Sequence, residues 1–184
     1  MSPMLRKMFK FLNRYFMVPL FKLGLGPFLA NPLTGYIMVL QVIGRKTGRI
    51  RYAPVNYAIH RGQVYFISGG RKSSDWYQNI LAKPDIEVIL PGGAIYGHAV
   101  EEGDPEVRRL MIRQVLKNAG FAGFFEGYNP FKITDVDLVK KTADLPLFRI
   151  QPVGLGNGAS DQKGWFWVWT FLFTLAILLL LFLK

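Results

Sequence analysis

The chain has 184 residues, a formal net charge of +11 and no cysteine, and 51% of it is hydrophobic. Disulfides, iron–sulfur clusters and thiol catalysis are therefore closed to it, and two histidines are too few for a histidine-only metal site, so no metal is expected. Without zinc-ligand spacing, a helix-turn-helix signal or an RNP-like segment, nucleic acid is set aside as a partner, and basic charge with apolar ends points to an anionic ligand or membrane lipid.

Residues 1–32 read as a basic amphipathic segment. Leu5, Met8, Phe9, Leu12 and Phe16 recur at three- and four-residue steps, with Arg6, Lys7, Lys10 and Arg14 largely opposite. A helix lying in the membrane interface and a helix packed on its own domain both satisfy this pattern. Pro19 interrupts it, and Asn31-Pro32-Leu33-Thr34-Gly35 turns the chain into an apolar run, Tyr36–Ile43.

Alternating segments follow at Arg51–His60 and Gln63–Ser68, separated by an Arg61-Gly62 hairpin turn. Asp75–Ala82 suits a short helix, which Lys83-Pro84 ends. Strands are expected at Ile86–Leu90, Ala94–Val100 and Leu147–Val153. Between them, Asp104-Pro105-Glu106 opens a helix to about Asn118. An aromatic loop holds Phe121, Phe124, Phe125, Tyr128 and Phe131, and Val136–Lys141 reads as a helical turn. Short strands with interposed helices predict a mainly β, α+β domain over 33–153, built as a small antiparallel barrel.

Residues 154–164 have the composition of a flexible linker. Residues 165–183 carry no charge, and Trp165, Trp167 and Trp169 gather at one end. That length and belt predict a transmembrane helix, a single-pass C-terminal anchor with the domain on the cytoplasmic side.

Chemistry concentrates in two glycine-basic-hydroxyl turns. The first is Gly44-Arg45-Lys46-Thr47-Gly48, with Arg49 and Arg51 beyond it; the second is Gly69-Gly70-Arg71-Lys72-Ser73-Ser74. Either turn alone fits a solvated hairpin. Two in one short span, followed by Trp76-Tyr77-Gln78-Asn79, point to a phosphate-bearing ligand held by guanidinium, ammonium and backbone N–H groups. The spacing matches neither the ATP-binding P-loop nor a GxGxxG fingerprint. No nucleophile–base pair stands out, so a cofactor is expected to carry any reaction.

The order GRKTG, RxxPxxY, a Gly-x-x-Tyr strand, Ser-Gly-Gly and WYxN resembles the deazaflavin (F420)-dependent nitroreductase and quinone reductase family over roughly Leu33 to Val153. The resemblance implies a split β-barrel of the FMN-binding-like type and coenzyme F420, an 8-hydroxy-5-deazaflavin, in preference to FMN. It assigns the anionic tail to Arg45, Lys46 and Thr47, the ring's neighbourhood to Pro54 and Asn56, and the lining loop to Ser68, Gly69 and Gly70. Arg71 or Lys72 stands for the family's loop lysine, and Trp76 and Asn79 for its tryptophan and asparagine. Related barrels often dimerise, so a homodimer is an expectation of the resemblance.

The expected activity is hydride transfer from reduced F420 to a lipophilic, quinone-like acceptor, with the Tyr128 hydroxyl as the candidate catalytic group beside a backbone N–H or water for providing the proton or polarising the acceptor carbonyl. The aromatic loop is mainly phenylalanine, which donates no proton, and this sets nitroimidazole reduction behind quinone reduction. Two alternatives stay open: a non-catalytic module for anionic lipid, and an FMN- or haem-binding relative on the same barrel.

Overall fold

A computed structural model of the protein describes residues 3–127, 129–158 and 166–183. Among them, six strands close into one antiparallel barrel: β1 (Ile37–Ile43), β2 (Ile50–His60), β3 (Gln63–Ile67), β4 (Asp85–Leu90), β5 (Gly93–Glu101) and β6 (Leu147–Leu155), in the order β1-β2-β3-β6-β5-β4. The mainly β class and the strand positions expected from alternation are both present.

Alternation also sets the faces. Met38, Leu40 and Val42 of β1 point inward and are completely buried, with Phe66, Ile86, Val88, Phe148 and Ile150 around them. The outer face is covered in two places. The helices α5 (Pro105–Asn118) and α6 (Asp135–Lys141) press Met111, Ile112, Val115 and Leu138 onto Ala58, Tyr65 and Leu147. Proline at the start of α5 gives up no needed donor, and the Asp104 carboxylate accepts from the N–H groups of Glu106 at 2.8 Å and Val107 at 3.0 Å.

The second cover is N-terminal. A run of α1 (Pro3–Leu12), a π-turn (Asn13–Met17) and α2 (Val18–Lys22) passes through Pro19 unbroken, because the π-turn just before it, in which the Val18 N–H donates to Asn13 O, shifts the hydrogen-bond register where proline has no N–H to give. With α3 (Gly26–Leu29), this run seats Phe21, Met17, Val18 and Leu29 on Val39 and Ile89. The later part of this segment packs on its own domain, as one of the two readings expects, while Met8, Phe11, Tyr15 and Phe16 are exposed.

β2 changes partners along its length. Ile50–Asn56 pair with Ile43–Ile37 of β1, whereas pairing with β3 covers only Tyr57–His60. One edge of the first half of β2 therefore has no strand beside it among the described residues. Its inward residues Ala53 and Val55, and Tyr57 where pairing with β3 begins, are only half-buried, in contrast to those of β1. Pro54 sits in this half, where a residue without an N–H forfeits no ladder bond.

Two expectations about the C-terminus are corrected. The linker is not flexible from its start: β6 continues to Leu155, the Gly156 N–H donates to the Ala94 carbonyl at 2.9 Å, and the Gly158 N–H donates to Glu87 Oε1 at 2.5 Å. A Cβ at position 156 would stand 2.6 Å from Glu87 Oε1, so any other residue there would push the Glu87 side chain aside. Glu87 is itself buried on the outer face of β4, where its Oε2 accepts from Gln41 Nε2 at 3.0 Å. Residues 159–164 and Trp165 lie outside the described residues, as do the side chains of Trp167 and Trp169.

The apolar run forms α7 (Phe166–Phe182), 17 residues rather than the nineteen expected. At about 1.5 Å per residue it is about 26 Å long, against a hydrocarbon core of about 30 Å. Among the described residues, no helix is long and apolar enough to cross a membrane.

Candidate functional site

The basic turn joins β1 to β2. The Gly44 N–H donates to Arg49 O at 2.9 Å, the Gly48 N–H donates to Gly44 O at 2.8 Å, and Gly48 takes φ +65°, a left-handed angle that favours glycine. The Thr47 hydroxyl oxygen accepts from the Arg49 N–H at 3.4 Å, within the turn itself.

The turn is tied to α4 (Asp75–Ala82). Asn79, buried on that helix, accepts through Oδ1 from the Arg45 backbone N–H at 3.1 Å and from its guanidinium at 2.9 Å. The guanidinium also donates to Asp75 O at 3.2 Å and faces the exposed Asp75 carboxylate at 3.5 Å. Arg45 is thus occupied in holding the turn to α4. Lys46, Arg49 and Arg51 have no ion-pair partner among the described residues and stand at the surface.

Arg51, Ala53, Val55 and Tyr57 share one face of β2 by the two-residue repeat of a strand. They form a stripe about 20 Å long, at about 3.4 Å per residue. It is cationic at the turn, apolar in its middle and ends on a phenol, and it lies along the half of the barrel wall that no neighbouring strand closes. Trp76, half-buried on α4, packs against the same interior, its ring 5.8 Å from Phe66 and 6.4 Å from Phe148. Burial, with Tyr36 nearby, raises the pKa of Tyr57, so its hydroxyl stays neutral and able to donate.

The remaining expected residues divide. Ser68 is buried, donates to Arg71 O at 2.8 Å and contacts Ser74 Oγ at 2.9 Å; it fixes the loop that carries the exposed Gly69 and Gly70 to α4. Pro54 and Asn56 point to the other face of β2, with Tyr52, and Asn56 Nδ2 donates to Tyr36 O at 3.4 Å. Arg71 turns away from the basic turn to pair with Asp144 at 2.5 Å. Arg71 and Lys72 line a separate cleft of about 580 Å³ with Glu101, Glu102, Arg108 and Asp144. Tyr128 lies outside the described residues, and among them no cluster of metal-ligating side chains occurs.

Arg49 and Arg51 were expected as part of the basic turn's charge but received no place in the assignment that the resemblance implies. The signal for Arg51 is the two-residue repeat of the strand it opens, which puts its charge on the face that continues as Ala53 and Val55.

Comparison with known proteins bears on the class. The family described as F420H(2)-dependent quinone reductase matches residues 26–129. An F420-H2 dependent reductase has 20% identity, with 63% of this chain and 94% of that one covered and a TM-score of 0.43. A conserved hypothetical protein of Mycobacterium tuberculosis has 15% identity over 65% of this chain and 74% of its own, TM-score 0.48. The haem storage protein HutZ of Vibrio cholerae has 14% identity over 64% and 81%, TM-score 0.44.

The family match over residues 26–129, more than half of the chain, defines the class as a cofactor-dependent oxidoreductase. The chain belongs to the F420H(2)-dependent quinone reductase family, and its cofactor is coenzyme F420.

Proposed function

We propose that the protein transfers reducing equivalents from reduced F420 to a lipophilic quinone while attached to a membrane through α7. The observation that carries the site is the β2 stripe: free cations at one end, half-buried apolar residues in the middle, an open strand edge alongside. This donor set fits the coenzyme. Lys46, Arg49, Arg51 and the backbone of the turn would hold its phosphate and acidic tail, and Ala53, Val55 and Trp76 would wall its flat ring. Ser68, Gly69 and Gly70 would shape the loop opposite, and Asn79 would keep the turn in place through Arg45.

When bound, the reduced deazaflavin supplies the hydride. The protein supplies position, a wall that excludes water, and a neutral hydroxyl. Tyr57 meets the last requirement because it keeps its proton throughout the physiological range; Tyr128 of the aromatic loop is the second candidate. Either phenol would donate a hydrogen bond to an acceptor carbonyl as charge builds on its oxygen.

Membrane attachment rests on α7. Its residues from Phe171 to Phe182 are exposed on every side. With no polar face to turn toward water, such a helix is stable only in an apolar surrounding.

Anaerobic titration of the full-length protein tests the reading. Oxidised F420 should change fluorescence on binding, and reduced F420 should be consumed on addition of a menaquinone analogue. FMN should compete weakly. Failure to bind F420 would remove the enzymatic reading and leave the cations as a lipid-headgroup site.

A further inference from the structure

We infer that the barrel docks end-on against an anionic phospholipid bilayer, through an apolar plate of Leu33, Phe121, Phe124, Phe131 and Leu155. This deepens the membrane reading above and rests on it.

Strand registers assemble the plate at one barrel end. Ile37 opens β1 opposite Asn56, Leu90 closes β4 opposite Gly93, and Leu155 closes β6 opposite Ile95, so all these termini lie together. The C-terminus of α5 is bound to the same end: the Tyr36 N–H donates to Asn118 O at 2.8 Å, and Asn118 Nδ2 donates to Tyr57 O at 2.9 Å. Just beyond it the Phe121 N–H donates to Leu33 O at 3.1 Å, and Phe124 stacks on Phe131 with centroids 6.3 Å apart.

These side chains face solvent, Leu33 to 75% and Leu155 to 92%. Leu33 with Phe121, and Phe124 with Phe131, form the apolar patch and Leu155 stands at the same barrel end; an exposed apolar patch of this kind marks a binding face. Its rim is cationic: Lys117 Nζ lies 5.8 Å from the Phe131 ring, Lys132 follows, and neither forms an ion pair among the described residues. Aromatic rings rimmed by lysine match the interface of an acidic bilayer.

The occupant is further fixed by the path to α7. The chain leaves the barrel at this same end, from Leu155 through Gly156 and Gly158, and Thr170 of α7 lies beside Gly24 near the β4–β5 turn. The basic turn stands at the opposite end of β1, about 24 Å away at about 3.4 Å per residue. An end-on barrel therefore points its anion site at the solution and the phenol end of the stripe at the lipid.

Because the protein has no cysteine, single substitutions give unique labelling sites. Full-length Leu33→Cys, Phe124→Cys and Lys83→Cys carry an environment-sensitive nitrobenzoxadiazole label and are mixed with phosphatidylglycerol/phosphatidylcholine vesicles, with co-sedimentation measured in parallel. Lys83 precedes β4 at the far end of the barrel. Labels at 33 and 124 should shift to the blue and brighten several-fold, while the label at 83 stays water-like. Co-sedimentation with all three labels water-like, or with the Lys83 label shifted as far as the others, overturns end-on docking alone. Loss of co-sedimentation overturns membrane attachment with it.

Discussion

One buried oxygen of Asn79 receives both the backbone N–H and the guanidinium of Arg45, at 3.1 and 2.9 Å. The helix after the second glycine turn thereby fixes the shape of the first. Asn79→Ala removes the shared acceptor and should cost about 1–3 kcal/mol of stability, with weaker F420 binding because the turn loses its anchor. Asn79→Asp keeps an acceptor and should recover most of both. Thermal melting and fluorescence titration of the two variants provide the check.

Cations without partners should behave differently from Arg45. Alanine at Lys46, Arg49 or Arg51 should each weaken F420 about tenfold, or about 1.4 kcal/mol, with little change in melting temperature. The loss should shrink as salt is raised, since exposed charges are screened. Arg71→Ala should leave F420 affinity unchanged, because its guanidinium is spent on Asp144. Titrations at two ionic strengths separate these outcomes, and an Arg71→Ala defect equal to that of Arg51→Ala would refute the assignment.

Alkaline stability should depend on Tyr77. Its ring is buried, its hydroxyl lies 3.2 Å from Glu101 Oε2, and burial followed by the Glu101 charge raises its pKa. The folded state thus favours the protonated phenol. Its contribution is complete below the ordinary tyrosine value of about 10 and is lost as pH climbs toward the raised folded value. Melting temperature should fall above about pH 10 in the native protein, and less steeply in Tyr77→Phe.

Truncations will show where the domain ends. A fragment stopping at Val153 lacks the Leu155 register with Ile95 and the N–H groups that Gly156 and Gly158 give to Ala94 and Glu87. It should be less stable than one stopping at Gly158 by about 1–3 kcal/mol. Denaturant unfolding of the pair measures the difference.

β1 was readable as an apolar run because both its faces are covered, Met38, Leu40 and Val42 by the barrel interior and Val39 by Phe21. The α5 start was readable from Asp104-Pro105. Pro54 carried more than was taken from it, since proline within an alternating strand already reports an open edge. The docking of residues 154–158 was not legible, because glycine composition signals flexibility unless the buried Glu87 beneath it is known. The division of labour between Arg45 and Arg51 was likewise hidden: both are arginines near one turn, and only the position of Asn79 across the fold distinguishes them.

The Glu87 carboxylate also works as a rivet. One oxygen takes the Gly158 N–H and the other takes the amide of Gln41, so a single side chain on β4 fastens β1 on one flank and the segment leaving β6 on the other. It does so where β1 meets β4 over only three residue pairs, the shortest ladder among the described strands. The seam that shuts the cylinder is thus cross-braced where its backbone pairing is thinnest.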